Sequence, residues 1–212
     1  MINLNIVKQR IQRGHFVKFL ALIIVLGVLV FTQTVQAQTS YKITDGTQIK
    51  VSGTSNLHDW TMLSKSFTCD AQFLLKGGVL QDISTLNFSL PVTNLKSKED
   101  LMDTRAYKTL KAEQFSKITF KLLHGTVVPQ LKMINAVGNL TIAGVTNKIT
   151  LQTTYVINAD ETITCKGTKL VKMSDFKIKA PSFMLGALKT GNEVSIDLLL
   201  KFKQTNTIHS NN

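Results

Sequence analysis

The chain has 212 residues, of which 43% are hydrophobic, so it is long enough for one domain with a sizeable core. Its net charge is +12, of which four positive charges lie in the first 37 residues, so the rest of the chain carries +8 (21 basic minus 13 acidic residues). The lysines of that part are spread singly, without the clustered stripe and interleaved aromatics of a nucleic-acid-binding protein. This charge is compatible with a transient contact with an anionic membrane surface, and the solvated exterior of a globular protein explains it as well.

The first 37 residues follow the charge and hydropathy plan of an export signal. A basic segment precedes an apolar stretch over residues 19–31, which is shorter than the roughly 20 residues of a spanning helix. The small-residue site Val35-Gln36-Ala37 comes next, so we expect cleavage after Ala37 and a mature domain over residues 38–212. An uncleaved anchor is the alternative. The predicted location is the periplasm or the cell surface.

From Tyr41 onward, apolar and polar residues alternate with the period of a half-buried strand. Clear runs cover residues 67–73, 86–92, 118–122, 149–157 and 194–202, and each has one apolar and one polar face. The turn-forming sequences between the runs are Asp45-Gly46, Gly77-Gly78, Asn147 and Asn158-Ala159-Asp160. Long parallel crossovers are absent from this pattern, so we predict an antiparallel sheet.

Two stretches interrupt the alternation. In residues 97–114 the apolar and basic residues recur at the spacing of a helix and do not alternate. Ser97-x-x-Asp100 has the spacing of a helix N-cap motif. A short helix or helix pair is therefore predicted there. Residues 174–191 contain Pro181, Gly186 and Gly191 and are predicted to be a long loop before the last strand.

The pattern predicts about eight strands, each with one apolar face. Such strands avoid exposed, unpaired sheet edges either by packing as two sheets or by closing into a barrel. The long apolar faces favour an elongated barrel. Charged residues such as Lys121 and Lys201 on the polar faces disfavour a membrane barrel, whose outer face is apolar. The residues predicted to line the interior, which a solid core would explain equally well, are Phe67, Phe73, Phe88, Leu90, Phe120, Leu140, Leu151, Tyr155, Ile196 and Leu198.

No catalytic or metal-binding constellation is recognisable. His58 and Asp59 are adjacent, but neighbours in an extended chain point to opposite faces, so a turn in which Asp59 accepts backbone donors and Trp60 plugs the barrel is favoured. Cys69 and Cys165 lack metal-ligand spacing, and the sequence leaves open whether they form a disulfide.

Four segments in order resemble the YceI-like family. The first contains Asn56-Leu57-His58-Asp59-Trp60, and the second runs from Asp103-Thr104-Arg105 to Ile118-Thr119-Phe120, although Ser116-Lys117 stands where the family usually has a proline. The third is the Gly-x-Leu-Thr-Ile-x-Gly-Val-Thr hairpin over residues 138–146, and the fourth combines residues 173–178 and 191–194. Together they span almost the whole mature chain.

This resemblance implies an all-β, extended, antiparallel, eight-stranded lipocalin-like β-barrel with a short helical insertion. It also implies a binding protein, not an enzyme, that holds a polyisoprenoid, quinone-like or fatty lipid for carriage, storage or scavenging. Candidates for the barrel mouth or a ligand head group are His58, Trp60, Arg105 and Phe176.

No cofactor is expected beyond a bound isoprenoid or fatty lipid, and a homodimer is compatible with the sequence. The alternatives are a structural or stress-protective surface barrel without a ligand and a lipid-modifying enzyme acting through His58 and Asp59.

Overall fold

A computed structural model of the protein describes residues 38–205; the predicted export signal over residues 1–37 lies outside the described residues. Within them, eleven strands and one α-helix form the fold. The strands are β1 (Thr39–Ile43), β2 (Gln48–Ser55), β3 (Trp60–Ser64), β4 (Thr68–Lys76), β5 (Val79–Pro91), β6 (Lys117–Val128), β7 (Met133–Ile142), β8 (Val145–Ile157), β9 (Ile163–Lys172), β10 (Ser182–Phe183) and β11 (Leu188–Gln204). The helix, α1, spans Asp100–Thr109.

The sheet closes on itself as an antiparallel barrel. Strands β4 to β9 pair in chain order, β11 follows β9, and the other edge of β11 pairs with both β1 and β2. β1 and β2 lie end to end along β11, and β4 and β3 lie end to end beside them. Counted this way, the barrel has eight strands, which confirms the predicted fold class.

One ladder of the barrel is short. β8 and β9 share four residue pairs, from Thr154 with Lys166 to Ile157 with Ile163. Above these pairs, towards Val145 and Lys172, β9 continues along β11 and β8 continues along β7. A 3-10 turn over Met173–Phe176 covers this seam, where the side-chain amide of Asn147 donates a 2.7 Å hydrogen bond to the carbonyl of Asp175.

Three of the predicted turns are confirmed, at Asp45-Gly46, at Gly77-Gly78 and at residues 158–160. The predicted turn at Asn147 is wrong, because Asn147 lies inside β8. The β7–β8 hairpin reverses three to four residues earlier, at Ala143 and Gly144, whose φ angles are 49° and 79°. Gly144 is suited to this backbone conformation, and its missing side chain also leaves room for the ring of Phe115.

The helical insertion is confirmed as α1, but the predicted cap at Ser97 is wrong, since Glu99 is the N-cap residue. The buried carboxylate of Asp103 accepts a 2.7 Å hydrogen bond from the backbone N–H of Ser97 and lies 3.4 Å from Lys96 Nζ. The Tyr107 hydroxyl lies 2.8 Å from the carbonyl oxygen of Leu95. These contacts hold α1 against the end of the barrel where β5 ends and β6 begins, which we call the upper end.

The segment over residues 174–191 is more ordered than a single loop. It contains the end of the 3-10 turn, the two-residue strand β10 and a second 3-10 turn over Met184–Gly186. Strand β10 pairs with the start of β11, so β11 begins at Leu188, earlier than expected. Within residues 38–205, no helix has the length and hydrophobicity needed to span a membrane.

Aromatic side chains close the lower end of the barrel. The ring of Phe73 packs edge-on against Tyr41 and Phe202, with centroid separations of 5.2 Å and 5.3 Å. Phe73 and Phe202 are fully buried, and Tyr41 is 4% exposed. We call these three residues the aromatic floor.

Candidate ligand-binding cavity

A cavity of about 410 Å³ lies inside the barrel. Its wall is formed mainly by isoleucine, leucine, valine and phenylalanine side chains from the strands, and residues of α1 and the β2–β3 turn border its upper end. Phe73 and Phe202 of the aromatic floor border the lower end. The wall therefore presents apolar surface along most of its length, which suits a ligand with few hydrogen-bonding groups.

The structure places eight of the ten predicted interior residues on the cavity wall, and their contact with a ligand stays a prediction. They are Phe73, Phe88, Leu90, Phe120, Leu140, Leu151, Ile196 and Leu198. Phe67 and Tyr155 are buried in the packed core instead. Phe67 directs its ring towards Phe88, with centroids 5.4 Å apart, and Tyr155 pairs with Cys165 in the β8–β9 ladder.

All four predicted mouth residues border the cavity. His58 belongs to the exposed turn between β2 and β3, and Trp60 begins β3. Arg105 lies on the exposed side of α1 and Phe176 ends the 3-10 turn above the β8–β9 seam. Phe176 is only 3% exposed, so it covers the upper interior, whereas Arg105 and His58 reach solvent at the opening.

Ser55 organises the β2–β3 turn. Its hydroxyl oxygen accepts hydrogen bonds from the backbone N–H groups of Leu57 and His58, both at 3.2 Å, and donates one to the carbonyl of His58 at 2.7 Å. The expectation that Asp59 accepts these donors is therefore wrong. His58 Nδ1 lies 2.9 Å from the backbone oxygen of Asp59, and both residues are exposed.

Trp60 forms one side of the opening. Its indole lies against Gly53, where a Cβ atom would overlap the ring, and Nε1 donates a 3.2 Å hydrogen bond to the carbonyl of Thr54. The ring is half-buried and borders the cavity. The glycine thus decides where the only tryptophan of the chain sits.

Both cysteines are free and buried in this structure. Burial raises the pKa of the Cys165 thiol to about 12, and burial also raises the pKa of Cys69, with smaller contributions from Asp70 and Cys165. Both thiols are therefore protonated at neutral pH and poor metal ligands or nucleophiles. Among the described residues, no group of three His, Cys, Asp or Glu side chains is placed to hold a metal ion.

Sequence reasoning missed two charged residues that border the cavity, Glu99 just before α1 and Lys169 of β9. Lys169 of β9 borders the cavity and is paired directly opposite Ile196 of β11. The signal was present in the sequence, because Lys169 shares the two-residue period of the buried Ile163, Cys165 and Val171. The alternation was hard to recognise because the next residue, the apolar Leu170, is exposed on the outer face.

The model of the YceI-like domain family matches residues 36–202 of this chain. The barrel is similar to the crystal structure of BcnA from Burkholderia cenocepacia, with 19% identity, a TM-score of 0.59, and coverage of 72% of this chain and 95% of that one. It is also similar to the YceI protein of Campylobacter jejuni, with 16% identity, a TM-score of 0.53, and coverage of 67% and 82%.

A third similar structure is a polyisoprenoid binding domain from Saccharophagus degradans implicated in plant cell wall breakdown. It has 11% identity and a TM-score of 0.56, and the match covers 80% of this chain and all of that one, 100%. At these sequence identities, the similarities show only that the fold is shared. No curated protein matched the sequence.

Proposed function

This chain belongs to the YceI-like family, and from that premise we propose that it is an exported binding protein that holds a long apolar or amphiphilic molecule inside its barrel. The observation that carries the proposal is the cavity of about 410 Å³, which has an apolar wall, a closed aromatic floor and an opening beside α1. A barrel filled by its own side chains would leave no such volume, which argues against a purely structural role.

The shape and chemistry of the cavity select the ligand class. A lipid tail has no hydrogen-bonding groups along its length, and each methylene transferred from water into an apolar wall contributes about 0.8 kcal/mol. Polyisoprenoids, quinone-like lipids and fatty lipids all meet this description. The polyisoprenoid-binding domain among the similar structures supports an isoprenoid as one member of the class.

We propose binding without catalysis. The adjacent His58 and Asp59 are the most enzyme-like pair in the sequence, and a base with its orienting carboxylate needs a hydrogen bond between the two side chains. In this turn the His58 ring nitrogen faces the Asp59 backbone oxygen. Carriage, storage and scavenging all require only enclosure and release.

The opening of the barrel supports an exchange of ligand at a membrane surface. Leu57 borders the cavity and is 68% exposed, and Leu101 of α1 is 60% exposed. The Asn56 side chain donates a 2.6 Å hydrogen bond to the carbonyl of Ala187, which holds the segment with the fully exposed Leu185 beside this turn. We define Leu57, Leu101 and Leu185 as the leucine rim. Exposed leucines in a basic protein suit a lipid surface with anionic head groups.

The decisive experiment is to purify the protein as it occurs in the envelope of its own cells, extract it with organic solvent and identify the extracted lipid by mass spectrometry. We expect a lipid at close to one molecule per chain. A Leu198→Trp variant, which fills the cavity, should lose it, whereas Leu170→Trp on the outer face of β9 should keep it. Absence of any lipid, together with no uptake of a fluorescent fatty acid, would refute the proposal.

The export part of the proposal is tested separately. Mass measurement of the purified mature chain should give an N-terminus at Gln38, as cleavage after Ala37 requires. An intact N-terminus at Met1 in the envelope fraction would instead indicate an uncleaved anchor.

A further inference from the structure

Lys169 is a charged side chain on the inner face of the barrel. Along β9, the buried residues Ile163, Cys165 and Val171 alternate with the exposed Lys166 and Lys172. Lys169 shares the phase of the buried residues, is itself only partly exposed and borders the cavity. Its register partner Ile196 also borders the cavity. The two neighbouring lysines of the same strand therefore face solvent, and this one faces the interior.

The level of Lys169 in the barrel is set by the ladders. Ile196 pairs with Lys169 on one side and with Val51 on the other, and Val51 pairs with Met62. Trp60 and Gly53 stand two residues further towards the upper end. The backbone of Lys169 therefore lies two residues along the strands below the level of Trp60 at the opening, and its neighbours at that level are apolar.

Among the described residues, no carboxylate forms an ion pair with Lys169, and Glu99 is the one carboxylate that borders the cavity. The ion pairs found within residues 38–205 engage Lys42, Lys50, Lys96 and Lys201. An ammonium group beside an apolar wall loses part of its hydration, and an anionic partner restores the lost stabilisation. The lysine stem is long enough to lie along the wall and place its charge at the border between the apolar tube and the solvent-filled opening.

We propose that Lys169 binds the anionic head group of the ligand, so that the cavity takes an acidic amphiphile with a carboxylate or phosphate head and a long apolar tail. This inference rests on the proposed lipid-binding function and names the chemistry of its ligand. The head lies near Lys169 and the tail runs down to the aromatic floor. From Ile196 to Phe202, β11 spans six residues, or about 20 Å of strand, which gives the tail its length.

The alternative is that Lys169 only reaches past the opening into water and makes no contact with a ligand. The two readings differ in how binding depends on the ligand charge. A head-group partner contributes to the affinity for anions and leaves the affinity for a neutral molecule with the same tail unchanged. A solvent-directed lysine contributes to neither.

The test measures the affinities of palmitate, hexadecyl phosphate and hexadecanol for delipidated full-length protein and its Lys169→Met variant by displacement of a fluorescent probe. We expect the variant to bind both anions about tenfold more weakly or worse, and hexadecanol unchanged. A loss confined to palmitate identifies the head as a carboxylate, and one confined to hexadecyl phosphate identifies it as a phosphate. Lys166→Met, on the same strand but outside the barrel, should match wild type with all three.

Lys169→Arg keeps the charge and should retain anion binding, which separates the charge from a folding defect. If wild type binds the lipids and Lys169→Met binds the anions equally well, the head-group assignment is overturned and the lipid-binding function stands. If Lys169→Met weakens hexadecanol as much as palmitate, the lysine acts through the shape of the cavity and the assignment is again overturned. If wild type binds none of the three probes, the assignment of an acidic amphiphile is overturned, and the lipid extraction described above decides the proposed function separately.

Discussion

The indole of Trp60 lies across the backbone of Gly53, the residue paired with it in the β2–β3 ladder. A methyl group at Gly53 would overlap the ring. We therefore expect Gly53→Ala to move the indole, to cost about 1–3 kcal/mol of unfolding free energy and to weaken lipid binding. Because the chain has one tryptophan, its emission reports the displacement directly. Ser52→Ala is the matched control. If Gly53→Ala had the same tryptophan emission and the same lipid affinity as wild type, the expected overlap would be contradicted.

The aromatic floor limits the depth of the cavity. Phe73 is fully buried between Tyr41 and Phe202 and borders the cavity. Phe73→Ala should lower the unfolding free energy by about 3–5 kcal/mol, because the removed ring leaves a void. The same void lengthens the tube, so the preferred fatty-acid chain length should increase in a binding series. Val156→Ala on the outer face, where Val156 is 51% exposed, should alter neither quantity.

Asp103 links α1 to the barrel in a pH-dependent way. Burial raises the pKa of its carboxyl, but the hydrogen bonds from Ser97 and the interaction with Lys96 outweigh this effect, so its pKa lies below the usual value. The stabilisation is therefore present above the unfolded pKa of about 4 and is lost as the pH falls through the folded value. Asp103→Asn should cost about 1–3 kcal/mol at neutral pH.

Urea denaturation of wild type and Asp103→Asn at a series of pH values checks this link. The difference in unfolding free energy between the two proteins should shrink as the pH drops below about 4. Asp100→Asn, in the exposed first turn of the same helix, should keep a small and nearly constant difference. A difference for Asp103→Asn that persists unchanged at low pH would contradict the role of the charged carboxylate.

The buried thiols should be protected from alkylation. Since burial raises the pKa of Cys165 to about 12, its thiolate fraction near pH 8 is very small. Iodoacetamide should leave both cysteines unlabelled in the native protein and label both in denaturant, as read by intact mass. Rapid labelling of the native protein would contradict this protection, and peptide mapping would show whether the label is on Cys165, which borders the cavity.

The leucine rim should govern the rate of ligand exchange with membranes. Replacing Leu57 and Leu185 together by serine should slow the transfer of a fluorescent fatty acid from anionic vesicles several-fold, with little change in equilibrium affinity. The control is Leu131→Ser, because Leu131 is similarly exposed, at 64%, but follows β6 at the opposite end of the barrel. An equal effect of Leu131→Ser would contradict a directed contact of the opening.

The inner and outer faces of the strands could be read from the sequence because a strand has a strict period of two. Val194 and Phe202, assigned to the same inner face, are both buried. The helical insertion was also found, because the alternation stops where α1 begins. Closure of the barrel was not derivable from these local patterns, since it depends on β11 pairing with β1 and β2 at the far end of the chain.

The errors have local physical causes. The β7–β8 turn was placed at Asn147 because asparagine favours turns, whereas the chain reverses at Ala143 with a positive φ that alanine seldom adopts. Lys169 was overlooked because β9 mixes Cys165, Gly167 and a lysine on its inner face with an exposed leucine on its outer face. The pairing of Lys169 with Ile196 of β11 makes clear which face of β9 points inward.

The short β8–β9 ladder is the place in the barrel wall where two neighbouring strands share only four residue pairs. Above Thr154 and Lys166, the two strands can separate further without breaking a backbone pair between them, while the longer ladders to β7 and β11 stay intact. The hydrogen bond from the Asn147 side chain to the carbonyl of Asp175 joins β8 to the 3-10 turn that covers this seam. A widening of the barrel at this seam would therefore break no strand pairing in the two ladders that flank it.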